Sequence, residues 1–411
     1  MKNVYIIGVD SLKFGKYKEH DHRELVKETF DNCLVDAGIT ANDIQSVHFA
    51  NSLWGYYNRQ DGIRGHIAMR HCGLEKVPIT NLEAACASGT LALHSAWKDI
   101  LTGLFDCSLA VGVDKLYMDD KHKMFDAFYF AVDIANKEEV FQEWNEAVKN
   151  VNVPIPEYNQ GARSPFMDIY ANIALSHMNQ YGTTQEQLAM VAAKNHHNGS
   201  LNPKAQFQFD MSTEQVLEDR IVSYPLTRSM CAPMGDGAAC AILCSEEFLE
   251  KLPDSVKERA VKIASSVYMS GRNRTLKERS TCAEAAELAY RMAGKIPEDI
   301  DVAEVHDASA IGEIIHYENL GFCPVGEGGK FMESGATQLH GKIPVNPSGG
   351  LISRGHPIAA SGLGQIYELV TQLRGEAGVR QVNGAKVALA ENGGGNVGLE
   401  EAAFTVTILE R

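Results

Sequence analysis

Asn81-Leu82-Glu83-Ala84-Ala85-Cys86-Ala87-Ser88-Gly89-Thr90 decides how the rest of the chain is read. A cysteine stands where a short apolar strand and turn run into a helical segment that continues to about residue 101. The partial positive charge of a helix N-terminus favours a thiolate. Ala84, Ala85, Ala87, Ser88 and Gly89 are small and leave room for a ligand to approach the sulfur. A lone cysteine more often packs as a small hydrophobe, so this stretch alone leaves both readings open.

A second stretch, residues 346–364, repeats the layout: Asn-Pro-Ser-Gly-Gly-Leu-Ile-Ser-Arg-Gly-His-Pro-Ile-Ala-Ala-Ser-Gly-Leu-Gly. Its small-residue loop carries one reactive side chain, His356. The pair Ser361-Gly362 answers Ser88-Gly89, and a helix over 363–373 answers the one over 90–101. One copy presents a sulfur and the other an imidazole. Two such copies face to face would bring a nucleophile to its base.

Composition narrows the remaining choices. A length of 411 residues fits two or three domains. The net charge of −15 and the lack of a basic face exclude a nucleic-acid partner. No apolar run is long enough for a membrane span. The N-terminus, Met-Lys-Asn-Val-Tyr-Ile-Ile-Gly-Val, reads as a first strand and not as a signal peptide. Cysteines stand at 33, 72, 86, 107, 231, 240, 244, 282 and 323, without the paired spacing of a metal site. Most lie in apolar runs, which implies reduced thiols and a cytoplasmic location.

In order, strands are expected at 4–9, 47–50, 77–82 and 107–113, with helices at 21–37, 62–72 and after Cys86. This alternation is that of a mostly parallel sheet covered on both faces. Residues 117–158 break the rhythm with Phe125, Phe128, Phe130, Phe141 and Trp144 among charges, as an insertion over the sheet. Two helices follow, the second opening on the Thr184/Gln187 capping box. Residues 216–222 are expected to return to the first domain, followed by an apolar strand ending at 244. A second round begins near Val261, and Asp299-Ile300 before the strand at 303–306 mirrors Asp43-Ile44 before 47–50. The chain is therefore a duplication: a first domain over 1–116 and 201–258, an inserted loop domain over 117–200, and a second domain over 259–411.

These features resemble the thiolase superfamily over essentially the whole chain, and within it the sterol-carrier-protein-type and archaeal branch. Glu83-Ala-Ala-Cys86-Ala-Ser-Gly89 resembles the family's nucleophile loop. Gly355-His356-Pro357 with Ser361-Gly362 resembles its catalytic histidine loop. Val305-His306-Asp307-Ala308 is similar to the branch's His-Asp-Cys-Phe segment. Residues 181–189, with Lys194-Asn195-His196, are similar to its loop-domain helices.

The resemblance implies an α/β fold of two duplicated βαβαβ-type domains in five layers, α-β-α-β-α, with an inserted loop domain. It implies an acyltransferase in which a CoA thioester acylates Cys86 and His356 handles the thiol proton. Backbone N–H groups of Cys86 and Gly393 would hold the acyl oxygen, and His306 and His356 the enolate oxygen. Coenzyme A would be substrate or product, with no permanently bound cofactor and no metal. The resemblance also implies a homodimer and, in this branch, a separate small zinc-binding OB-fold subunit.

Two departures stand out. Most thiolases take and return the α-proton with a second cysteine, in the final glycine turn or in the His-Asp-Cys-Phe segment. Here those positions read Glu391 and Ala308. A buried Glu391 with a raised pKa would do the same work. The family's His-Met pair over the acyl pocket reads Phe166-Met167, which with the aromatic insertion points to a bulky or aromatic acyl group. Two other functions fit the departures: a retro-aldol lyase acting on a β-hydroxy acyl-CoA, and a non-catalytic CoA-binding subunit.

Overall fold

The computed structural model describes residues 2–159 and 161–411. Its strands are β1 (Val4–Ser11), β2 (Ser46–Ala50), β3 (Ile79–Leu82), β4 (Cys107–Asp114), β5 (Ile221–Ser223), β6 (Leu226–Thr227), β7 (Gly237–Ser245), β8 (Val261–Ser270), β9 (Val302–Glu304), β10 (Val387–Gly394) and β11 (Ala403–Glu410). Nine of them form one mixed sheet in the order β3-β2-β4-β7-β1-β8-β11-β10-β9.

The duplication is visible in that order. From its centre the sheet runs β1-β7-β4-β2 one way and β8-β11-β10-β9 the other. The innermost pairings are antiparallel and the outermost parallel in both halves. The bridge of Ala303 to Val345 stands where β3 stands in the first half. Within the sheet, Tyr5↔Lys262 and Ile6↔Val261 join the halves.

Side-chain alternation along each strand separates three cores. Ile7, Val47, Leu109, Val111 and Ile242 pack outward on the helices His22–Ala37 and Arg64–His71. Ala110, Ala241, Leu243, Ile263, Ala388 and Ala390 pack inward on Ser88–Leu101 and Ile358–Arg374. Leu389, Val406, Ile408 and Val267 pack on Thr281–Ala293 and Ala310–Asn319. The two halves of the one sheet therefore lie on either side of the central helices, and the layers are helix, half-sheet, helix, half-sheet, helix.

Residues 216–222 do not return to the main sheet. Their segment holds the end of the helix Thr213–Glu218 and the start of the β5–β6 hairpin. The return is made by β7, between β4 and β1. The capping box before Gln185–Ser200 is present, with the Gln187 N–H donating to Thr184 Oγ1. Among the described residues no helix is long and apolar enough to cross a membrane, and all nine cysteines are free thiols.

The two central helices decide where the site forms. They cross at their first turns, at the two Ser-Gly pairs. A Cβ on Gly89 would lie 2.5 Å from the Ala359 carbonyl, and one on Gly362 would lie 2.6 Å from Thr90 Cγ2. Only glycine permits that approach. The loops entering the two helices are thereby driven together, and they are the loops that carry Cys86 and His356.

Candidate active site

Cys86 occupies a 3₁₀ turn, Ala85–Ala87, between β3 and the helix Ser88–Leu101. The turn is tightly held. Ser88 Oγ donates to the Ala85 carbonyl (2.6 Å) and accepts from the Ala84 N–H (2.8 Å), while the Ala85 N–H donates to Glu83 Oε1 (2.6 Å). Ala85 itself has φ +48°, a left-handed conformation that costs a non-glycine residue about 1–3 kcal/mol and marks a constrained functional turn.

A side-chain atom from each of Cys86, His306 and His356 lies within 4.8 Å of the other two, and all three residues line one cavity of about 1180 Å³. The imidazoles meet edge-on, 5.3 Å between centroids. Hydrogen bonding assigns them opposite tautomers. Ser361 Oγ donates to the Pro357 carbonyl (3.0 Å), so at 2.7 Å it accepts from a protonated His356 Nδ1. That leaves Nε2 of His356 as a free base. Asn392 Nδ2 donates to His306 Nδ1 (2.9 Å), and Asn392 Oδ1 lies 2.9 Å from Thr90 Oγ1, whose single proton also faces the Ala87 carbonyl (3.0 Å). His306 then carries its proton on Nε2, as a donor suited to a developing oxyanion. Burial holds both rings neutral: it pushes His306 down to about 3, and burial with neighbouring His306 and Arg354 pushes His356 well below the usual range.

The sulfur departs from the expectation of a helix-stabilised thiolate. Burial pushes the Cys86 thiol well up, and the carboxylates of Glu401, Asp114 and Glu83 add to this. The resting pair is a neutral thiol beside a neutral imidazole, so the proton must move during attack. Ser361→Ala should remove the bond that fixes the His356 tautomer and slow Cys86 acylation about tenfold, the worth of one hydrogen bond. Single-turnover acylation kinetics would show it.

Behind His306 a buried polar network ties the loop-domain helix to the site. Lys194 Nζ pairs with Glu313 Oε1 (2.8 Å) and donates to the Val345 carbonyl (2.6 Å). Asn195 Nδ2 donates to Asp307 Oδ2 (2.8 Å) and Glu313 Oε2 (2.6 Å), and the Leu351 N–H donates to Asp307 Oδ1 (2.6 Å). This explains the Lys194-Asn195 signature in structural terms: it joins the His306 and His356 loops. Lys194→Met leaves Glu313 buried without its cation and should cost ~3–5 kcal/mol of stability, read as a lowered urea midpoint.

The family model for the thiolase N-terminal domain matches residues 4–224, and that for the thiolase C-terminal domain-like region matches 263–411. The chain belongs to the thiolase family. It is 40% identical over 399 residues to an acetyl-CoA acetyltransferase of Methanothermobacter thermautotrophicus, covering 97% of this chain and 98% of that one. It is 37% identical to sterol carrier protein 2 of Bos taurus, covering 95% and 69%. Among solved structures, the "Ltp2-ChsH2(DUF35) aldolase" has the same fold, with a TM-score of 0.77 at 20% identity over 100% of this chain and 98% of that one. Human mitochondrial 3-ketoacyl-CoA thiolase superposes with a TM-score of 0.65 at 16% identity, covering 100% and 98%.

Within this thiolase, two residues singled out in the sequence sit elsewhere than expected. Glu391 is fully buried, and burial with neighbouring Glu401 pushes its carboxyl well above the usual range, as expected, but it does not line the cavity. Its carboxylate accepts the His306 N–H (3.0 Å) and lies 3.3 Å from His316 Nε2 and 3.8 Å from Cys282 Sγ. It supports the back of His306. Gly393 pairs with Phe404 inside the β10–β11 ladder, and the cavity wall is made by Gly394 and Gly395. A Cβ on Gly394 would lie 2.5 Å from Ala87 N and 2.9 Å from Cys86 N, so this glycine turn closes against the nucleophile turn. Phe166 and Met167 do line the cavity, beside Phe125, Phe128, Phe130, Trp144 and Tyr170. Two carboxylates reach the cavity from this region, Glu400 and Glu401, and no sequence motif marks either.

Proposed function

We propose that this thiolase-family acyltransferase cleaves or forms a β-keto acyl-CoA through an acyl group carried on Cys86. The observation that supports it best is the sulfur of Cys86 beside two neutral imidazoles of opposite tautomer on one cavity wall. His356 Nε2 takes the thiol proton as sulfur attacks the thioester carbonyl. The C–S bond to coenzyme A then breaks, and the departing thiolate recovers that proton. Backbone N–H groups of Cys86 and of the glycine turn, with His306 Nε2–H, are the donors for developing oxyanions.

The cavity lining supports a CoA ester with a bulky acyl part. Although the protein is acidic, eight Lys and Arg residues line the cavity against four Glu. Lys16, Lys121, Arg220 and Lys277 make no ion pair among the described residues, which suits them to phosphate groups. The aromatic group around Phe166 and Trp144 favours an aromatic or otherwise bulky acyl chain. A homodimer remains our expectation from the family resemblance. A separate zinc-binding OB-fold subunit is also proposed, in line with the DUF35 component of the Ltp2-ChsH2(DUF35) aldolase.

The test is intact-mass spectrometry after mixing the protein with acetyl-CoA and a panel of β-keto acyl-CoA thioesters, aromatic ones included, beside Cys86→Ala. A mass gain lost in the variant establishes acyl transfer and names the acyl group. The absence of a cysteine at 308 and 391 favours one second reading, retro-aldol cleavage of a β-hydroxy acyl-CoA. Turnover of such a thioester without any adduct on Cys86 would support that reading instead.

A further inference from the structure

The glycine turn holds a substitution in space that motif positions conceal. Residues 391 and 393 of β10 point to the same face of the strand, because side chains alternate with period two. Glu391 is committed to the His306 N–H and the His316 ring. At Gly393 the face is bare, and the turn over residues 395–402 brings the Glu401 carboxylate back over it. A Cβ at 393 would collide with both oxygens of that carboxylate. Glu401 thus fills the side-chain slot of Gly393, two residues along from where a catalytic cysteine would project. It lines the cavity with Cys86, His306 and His356. Among the described residues its carboxylate has no hydrogen-bond or ion-pair partner, unlike the adjacent Glu400, which is held by Arg274, Thr281 and the Arg272 N–H.

We infer that Glu401 is the acid/base that gives and takes the α-proton in place of the missing second cysteine. This rests on the acyl-transfer reading above. In the cleavage direction Cys86 bonds to the β-carbonyl carbon and its proton passes to His356. The bond between the α and β carbons breaks, and its electron pair takes the proton of Glu401, releasing the shorter CoA thioester. Incoming CoA thiol gives its proton to the Glu401 carboxylate and its sulfur to the acyl carbon, while Cys86 leaves and recovers the proton on His356. Condensation is the reverse, with the Glu401 carboxylate removing the α-proton. Burial, with neighbouring Glu400 and against the pull of Arg274, pushes the Glu401 carboxyl up to about 8. It is therefore protonated often enough at neutral pH to serve in both directions.

The experiment measures two things on wild type, Glu401→Gln and Glu401→Asp: the mass adduct on Cys86, and deuterium exchange from solvent into the methyl group of acetyl-CoA. Glu401→Gln should keep the Cys86 adduct and lose exchange by about 100-fold or more, with Glu401→Asp restoring part of it. Exchange within threefold of wild type in Glu401→Gln overturns the inference. Joint loss of adduct and exchange in that variant also overturns it, because Glu401 would then act in acylation. Absence of exchange in wild type overturns it as well. If wild type gives no adduct but shows Glu401-dependent exchange, this inference stands and the acyl-enzyme reading fails.

Discussion

Cys86→Ala is expected to abolish the covalent acyl adduct and to lower turnover of any β-keto acyl-CoA by roughly 10⁴-fold or more. The fold should survive the change. Cys86 sits between Ala85 and Ala87 in a turn fixed by Ser88 Oγ and by the Glu83 carboxylate, and its sulfur makes none of those bonds. Thermal unfolding of the variant should match wild type closely, which separates loss of the nucleophile from loss of structure. The raised pKa gives a second check on the native thiol. A thiol held protonated chiefly by burial has little thiolate at neutral pH. Its alkylation by iodoacetamide should be slower than that of a free thiol at pH 7 and still be climbing above pH 9. A fast, flat alkylation profile would show a preformed thiolate and contradict the neutral pair described here.

The features legible in the sequence were those with a local cause. Ser88-Gly89 and Ser361-Gly362 announced a duplication because the two helices must cross at glycine and their loops must be tied by serine. The structure shows both needs: Gly89 and Gly362 take the close approach, while Ser88 holds the nucleophile turn and Ser361 the imidazole. Alternating strands and helices marked the layers for the same reason, since each strand must present two faces to two cores. Other features depended on three-dimensional return of the chain. Motif position points to Glu391 because it stands beside the glycines, yet motif position does not say which atoms a side chain meets. Glu401 carried only a faint signal, a Glu-Glu pair just before an apolar last strand. Its approach to Gly393 is set by the turn closing β10 onto β11, a register invisible from spacing. The thiolate expectation failed for a related reason: a helix N-terminus is a local property, whereas burial and the two carboxylates from distant segments, Glu401 and Asp114, are not.

His356→Asn carries the other large expected effect, a fall of about 10²–10⁴-fold in the rate of Cys86 acylation at pH 7. The size follows from the resting protonation states. The thiol is protonated because its pKa is raised, and His356 is an unprotonated base because burial, His306 and Arg354 lower its pKa. Between pH 6 and 7.5 neither group changes state, and neighbouring His306, pushed down to about 3, stays neutral as well. Glu401, near 8, is still mostly protonated in this window. Asp114, pushed up to about 7 by burial, ionises in this window and acts on the sulfur through its charge, so wild-type acylation should change only gently over that range, with no full acid limb near the ordinary histidine value of about 6.5. In His356→Asn only the small thiolate fraction reacts, and that fraction rises about tenfold per pH unit while the pH remains below the raised thiol pKa. The two rates should converge by about one order of magnitude for each unit of pH, starting from the gap at pH 6. A wild-type acid limb near 6.5 would mean that burial does not lower the His356 pKa. Below that pH the ring would already hold a proton and could not take one from the thiol, so acylation would fail on that side of the limb.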